Sequence, residues 1–289
     1  MVRLKFKKEN EGLFIMDTTL DKEVKVIIDY IVKVQNGRLK IERLCYEIGE
    51  LGKHGISLPP NMQGLTEEQV VELKLKDEWQ AKCIPSGGVT QRKDDIGRRS
   101  GQAPMENMQT VLNDTVEEAK QKVSKKHFEN NKVVTNEDVK DCLAILKGAV
   151  TIVYPMGLPP HDPIQAEFDD NEDLAGTQMA KEVLDLNNLS LWYCGKEMTP
   201  TEKPLSHFMG KNEKTTVIIK LTKKGHGCPA REPVVNEQEQ KLMMAHAYRR
   251  QEELKKLAEN EDTDYLGSAW ADPSSLKQQL HGVSNIKWR

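Results

Sequence analysis

The chain has 289 residues, with 42 Lys and Arg against 45 Asp and Glu, a formal charge of −3. So even a balance excludes a polyanion binder held by bulk positive charge. With 37% hydrophobic and 30% charged residues, the composition is polar for a wholly compact globule, and part of the chain is expected outside any core.

In chain order, Val2, Leu4 and Phe6 alternate with Arg3, Lys5 and Lys7, the period-two pattern of a half-buried strand. Asn10, Glu11 and Gly12 supply a turn, and Leu13 and Ile15 resume the alternation, which makes a hairpin. From Leu20 the period changes: Leu20, Val24, Ile27, Ile28 and Ile31 fall on one helical face, Asp21 and Glu23 are placed in the first turn, and Gly37 is expected to end or break the helix. A second helical run, Ile41, Leu44, Cys45, Ile48 and Leu51, stops at Gly52. Thr66 and Gln69 have capping-box spacing ahead of a helix expected to carry Val70, Leu73 and Trp79. Residues 85–104, punctuated by Pro85, Gly87, Gly88, Gly97, Gly101 and Pro104, read as a flexible loop. Met108, Val111, Leu112, Thr115, Ala119 and Val123 mark a helix, and Thr135 caps another that buries Val139, Leu143, Leu146 and Val150. Four prolines over 155–163 and the acidic run from Asp162 to Asp173 read as a linker stretched by self-repulsion, or as a partner for the basic loop in the same chain. Strand alternation returns at Leu191–Tyr193 and at Val217, Ile219 and Leu221. A charged helix with a thin apolar stripe follows over about 236–259, and then a tail with spaced apolar anchors.

The two β-rich pieces, 1–34 and 189–222, are each too small to fold alone, so they are expected to pair into one small α+β domain. The mainly helical insertion is then 35–188, and 223–289 is a charged helix and partner-binding tail. The segment LWYCGKEMTPTEKPLSHFMGKNEKTTVIIKL, Leu191 to Leu221, resembles the second half of ubiquitin, and the opening hairpin and helix resemble its first half. The resemblance implies a ubiquitin-like β-grasp split by a large helical insertion. It implies no conjugation, because the last strand runs on into Lys223 and beyond instead of ending in Gly-Gly. Matched to ubiquitin's recognition patch, Trp192, Ile218 and Lys220 occupy the outer sheet face. They are partner-binding, or the insertion or the C-terminal helix covers Trp192 and Ile218 as ordinary core.

The blocks VRLKFKK, LWYCGKEM, CPAREPVVNEQEQKLMMAHAYRRQEELKKL and SLKQQLHGVSNIKWR are similar, end to end, to the cilia- and flagella-associated proteins counted among the dynein-arm assembly factors. That resemblance implies a non-enzymatic cytoplasmic adaptor for motile cilia with a link to the basal body and cilium positioning. Its implied partners are chaperones, other dynein assembly factors and axonemal dynein subunits.

The residues themselves offer no catalytic constellation. Five cysteines, odd in number and without a C-x-x-C pair, fit a reduced intracellular protein. The most apolar stretch, Leu143 to Val153, is broken by Lys147 and Gly148 and falls short of a membrane span. His226 and Cys228 lack the second ligand pair that zinc needs, and the glycines fit no phosphate-binding fingerprint, so no cofactor, metal, nucleic acid or membrane insertion is expected. His54 reads as a helix-end cap, and Cys45 and Cys142 as core. Arg92, Lys93, Arg98 and Arg99 make the 85–104 loop basic, for an acidic partner or for solvent. In the tail, Trp270 and Trp288 suit short-motif docking, and Thr263, among acidic residues, is a candidate phosphorylation site. Both tryptophans could instead fold back onto the domain. A rival role is a ubiquitin-pathway adaptor that docks a ubiquitin or proteasome receptor.

Overall fold

The computed structural model describes residues 1–231 and 237–259. These divide into two units, Met1–Ala230 and the part that begins at Arg231. In chain order the first unit holds β1 (Val2–Lys8), β2 (Glu11–Thr18), α1 (Val24–His54), α2 (Glu67–Glu72), β3 (Val89–Gln91), β4 (Gln102–Pro104), α3 (Glu106–Val123), α4 (Lys126–Glu129), α5 (Asn136–Val153), α6 (Pro163–Phe168), β5 (Leu189–Tyr193), β6 (Lys196–Glu197), α7 (Leu205–Met209) and β7 (Thr216–Lys223). The second unit holds α8 (Glu237–Glu259).

The fold is α+β with a mixed sheet. Its order is β2-β1-β7-β5-β6. The opening hairpin and the late strands therefore share one layer, joined where β1 and β7 run parallel with Leu4 opposite Val217 and Phe6 opposite Ile219. All other pairs in this sheet are antiparallel. Alternation fixes the faces: Val2, Leu4, Phe6, Leu191, Val217, Ile219 and Leu221 are buried on the inner face, in one cluster with Ile27, Ile31 and Val34 of α1 and with residues of α3 and α5.

Gly37 does not end the first helix. One helix of 31 residues runs from Val24 to His54 and absorbs both predicted pieces, while Leu20, Asp21 and Glu23 precede it and no acid lies in its first turn. The glycine has a packing role: a Cβ there would lie 2.5 Å from Val139 Cγ1 on α5. Burial on both sides outweighs the ~1 kcal/mol helix cost of one glycine. Gly37→Ala is expected to destabilise by about 1–3 kcal/mol through overpacking. Gly49→Ala, on the same helix with nothing within 4 Å of its Cβ, is expected to stabilise by about 0.5–1 kcal/mol. Paired urea titrations read the two signs; a stabilising Gly37→Ala would contradict the packing role.

Arg38, one residue on, is buried and knits three elements together. Its guanidinium donates to the Leu13 carbonyl at 2.6 Å, to the Val123 carbonyl that ends α3 at 3.0 and 3.2 Å, and to Gln35 Oε1 at 3.3 Å. Burial lowers its pKa, with Glu42 and Glu11 opposing.

The Thr66–Gln69 capping box is present, and the Thr135 cap is itself a box completed by Asp138. The Thr66 helix is short, however: Leu73 is its C-cap and Trp79 lies beyond it. Residues 85–104, expected as a loop, hold the β3–β4 hairpin, with Val89 opposite Pro104. The acidic stretch is a docked element instead of an extended linker. Asp162 caps α6 by accepting the Ile164 N–H. Glu167 of α6 receives a paired hydrogen bond from Arg43 of α1 at 2.5 and 3.0 Å, and Asp170 pairs with Lys40. A buried charge persists where it meets a partner, and for Glu167 that partner is Arg43 of α1.

Candidate interaction surface

The outer face of the sheet carries Arg3, Lys5 and Lys7 on β1, Ile218 and Lys220 on β7, and Trp192 on β5. Lys5 stands opposite Ile218, and Lys220 stands between Lys7 and Trp192. The chain covers one half of this face with its own α4. The Phe128 ring of α4 lies so close to the β1–β2 turn that a Cβ on Gly12 would meet it at 2.3 Å. The Lys5 and Lys7 ammonium groups each lie 5.9 Å from the ring centroid, and Lys5 also donates to Asn131 Oδ1 at 2.5 Å. Ile15, an outer-face residue of β2, is buried. The sequence reading assigned Phe128 no role; its one signal is an aromatic residue in an otherwise polar run.

The other half, on β5 and β7, is only partly covered by the described residues. Ile218 is 40% exposed, whereas Trp192 is half-buried and its Nε1 finds no acceptor among the described residues. Lys220 is engaged: its ammonium donates to the Ala230 carbonyl at 2.6 Å and holds the stretch after β7 against the sheet. Cys228 in the same stretch donates weakly to the Gly195 carbonyl at 3.7 Å. Of the three predicted outer-face residues, Ile218 thus presents apolar surface, Trp192 presents part of a ring, and Lys220 serves the fold.

The other sequence-predicted groups fall in different places. Arg99 does not belong to a solvated basic loop. Its side chain is 4% accessible and pairs with Glu47 of α1 at 2.6 Å and with Asp162 at 3.8 Å, so part of the acidic run does meet the basic stretch. Arg98 stays at the surface, 3.4 Å from Glu47. His54 is the last residue of α1, and its Nδ1 lies 3.4 Å from the Arg92 carbonyl. Cys45, Cys83 and Cys142 are buried; burial pushes all three thiols up, Cys45 to about 11, which suits packing better than nucleophilic chemistry. Among the described residues no group of three or more His, Cys, Asp and Glu could hold a metal ion, and no helix is long and apolar enough to cross a membrane. Thr263, Trp270 and Trp288 lie outside the described residues. In the second unit, α8 exposes Leu242, Met243, Met244, Tyr248 and Leu254.

The family model of cilia- and flagella-associated protein 298 matches residues 189–286, which include β5, β7, α8, Thr263 and Trp270 and stop short of Trp288. Over the full chain and 99% of each relative, the sequence is 55% identical to cilia- and flagella-associated protein 298-A of Xenopus laevis and 54% identical to cilia- and flagella-associated protein 298 of Danio rerio and of Homo sapiens. The chain belongs to the cilia- and flagella-associated protein 298 family. This membership supports a role in cilia. None of these relatives carries an enzyme's name. No solved structure matches the chain.

Proposed function

We propose that the chain is a non-enzymatic adaptor in the cytoplasmic assembly of axonemal outer dynein arms, acting near the basal body and needed for motile cilium function and cilium positioning. Its scaffold is a split ubiquitin-like β-grasp, and its outer half-face on β5 and β7, which carries Ile218 and Trp192, receives dynein subunits in company with chaperones and other assembly factors. One observation carries the surface assignment: a 40% exposed isoleucine on the same outer face as a partly exposed tryptophan, on a face whose other half the chain has already covered with Phe128. Large aromatic and aliphatic groups of this kind anchor protein interfaces.

Affinity capture from ciliating cells tests the reading. The full chain is expected to recover axonemal dynein subunits and chaperones. Ile218→Glu, a surface change that leaves the circular dichroism spectrum intact, is expected to reduce that recovery at least fivefold. Full recovery with Ile218→Glu would move the docking surface elsewhere, and no dynein subunit with the wild-type chain would end the assembly reading. The sheet order β2-β1-β7-β5-β6 also favours a second reading, an adaptor for a ubiquitin or proteasome receptor. Loss of proteasome receptors on Trp192→Ala would support it, while α4 over half of the face weighs against a ubiquitin-sized footprint.

A further inference from the structure

Away from the outer face, a cavity of about 210 Å³ opens where the carboxyl ends of β1 and β7 meet the segment that leads into β5. Its floor is apolar: Leu184, Leu189 and Leu221 are each at most 9% exposed. Its rim is basic, with Lys8, Lys181 and Lys223 against a single carboxylate, Asp185. None of the three lysines has a carboxylate partner among the described residues, whereas Asp185 is already engaged by the Asn187 N–H at 3.1 Å. Glu182 lines the neighbouring, more polar cavity. The wall is built in place. Asn36 of α1 donates from Nδ2 to the Leu184 carbonyl and accepts the Leu184 N–H on Oδ1, both at 2.9 Å, so Leu184 is held at both backbone groups by a half-buried side-chain amide.

Size and charge select the occupant. Pockets for drug-sized ligands measure roughly 300–1,000 Å³, so this one suits a single large side chain. A carboxylate beside that side chain would meet three unpaired ammonium groups at the mouth. We propose that this cavity is a docking pocket for an acidic peptide segment of a partner protein, which inserts one leucine- or phenylalanine-sized side chain while its flanking carboxylates meet Lys8, Lys181 and Lys223. The pocket is independent of the outer face, so one can fail while the other stands.

The test uses the full chain and fluorescein-labelled dodecapeptides of Asp, Glu and Ala with one central Leu, Phe or Trp, read by fluorescence anisotropy. At least one of the three is expected to bind, with affinity reduced tenfold or more when the central residue is Ala, when Asn and Gln replace the acids, or when NaCl rises from 50 to 500 mM. The double variant Lys181→Glu/Lys223→Glu, at two exposed positions, is expected to weaken binding tenfold or more with an unchanged circular dichroism spectrum. Equal binding of the amidated peptides, unchanged binding by the double variant, or no binding by any acidic peptide would each overturn the proposal. Capture of the chain by phosphatidylserine vesicles in the absence of peptide binding would likewise overturn it, in favour of a lipid surface.

Discussion

Arg99→Met is expected to cost the protein about 3–5 kcal/mol of unfolding free energy, the range for removing one partner from a buried charge network. The Arg99 guanidinium sits between two carboxylates and two carbonyls: Glu47 Oε2 at 2.6 Å, Asp162 at 3.8 Å, the Gly55 oxygen at 2.9 Å and the Glu47 backbone oxygen at 3.3 Å. Asp162 is wholly buried, and its other contacts are the backbone N–H groups of Ser57 and Ile164, both at 3.0 Å. Without the arginine, this carboxylate keeps two neutral donors and loses its nearby cation. The three charges also lie on three separate parts of the chain, the end of α1, the β3–β4 hairpin and the cap of α6, so one substitution loosens all three contacts. Arg98→Met is the internal control. Its side chain is 46% accessible and reaches Glu47 only at 3.4 Å, and exposed pairs contribute about 0–1 kcal/mol. Urea unfolding of both variants decides the matter; equal losses would mean that the network does not hold the hairpin and α6 to α1.

Gly55→Ala is expected to be about as damaging, on the order of 3 kcal/mol or more, from backbone strain and a backbone clash together. Gly55 closes α1 at φ 79° and ψ −161°, a region that is in practice reserved for glycine. An added Cβ would lie 2.1 Å from the Gln102 carbonyl oxygen and 2.6 Å from its carbon. Those atoms belong to β4 and have no rotamer through which to withdraw. Relief would require the hairpin to move off the helix end, which would also pull on Arg99. Gly64→Ala separates strain from clash. Its φ is 75°, yet nothing lies within 4 Å of its Cβ, so it should cost only the ~1–2 kcal/mol of the left-handed conformation. Similar melting-temperature drops for the two variants would show that the contact with β4 gives way easily.

The elements were largely legible in the sequence because local periodicity reports them. Val2, Leu4 and Phe6 announce β1, and the Thr66 box and the Thr135 cap mark two helix starts to the residue. That the two β-rich pieces share one sheet followed from a local fact, that neither can bury enough surface alone, whereas the pairing of β1 with β7 is seen only in the structure. Gly37 and Gly52 misled for the complementary reason. A glycine's intrinsic preference is small, the close approach of α5 at Gly37 is invisible along the chain, and past Gly52 the helix runs on two residues to His54. The candidate surface was half legible. Alternation placed Trp192, Ile218 and Lys220 on the outer face, but nothing local foretold that α4 would cover the neighbouring strands or that Lys220 would be engaged by Ala230.

By itself, the sequence determined most of the main strands and helices, which side of the long strands faces inward, and, through its likeness to one family, a relation to cilia. Only the tertiary structure decided which charges matter. Arg98 and Arg99 are adjacent and chemically identical, yet one is at the surface and the other is enclosed by Glu47 and Asp162. The energy of a charge depends on its distance from water and from its partner, and segments more than fifty residues apart set both distances.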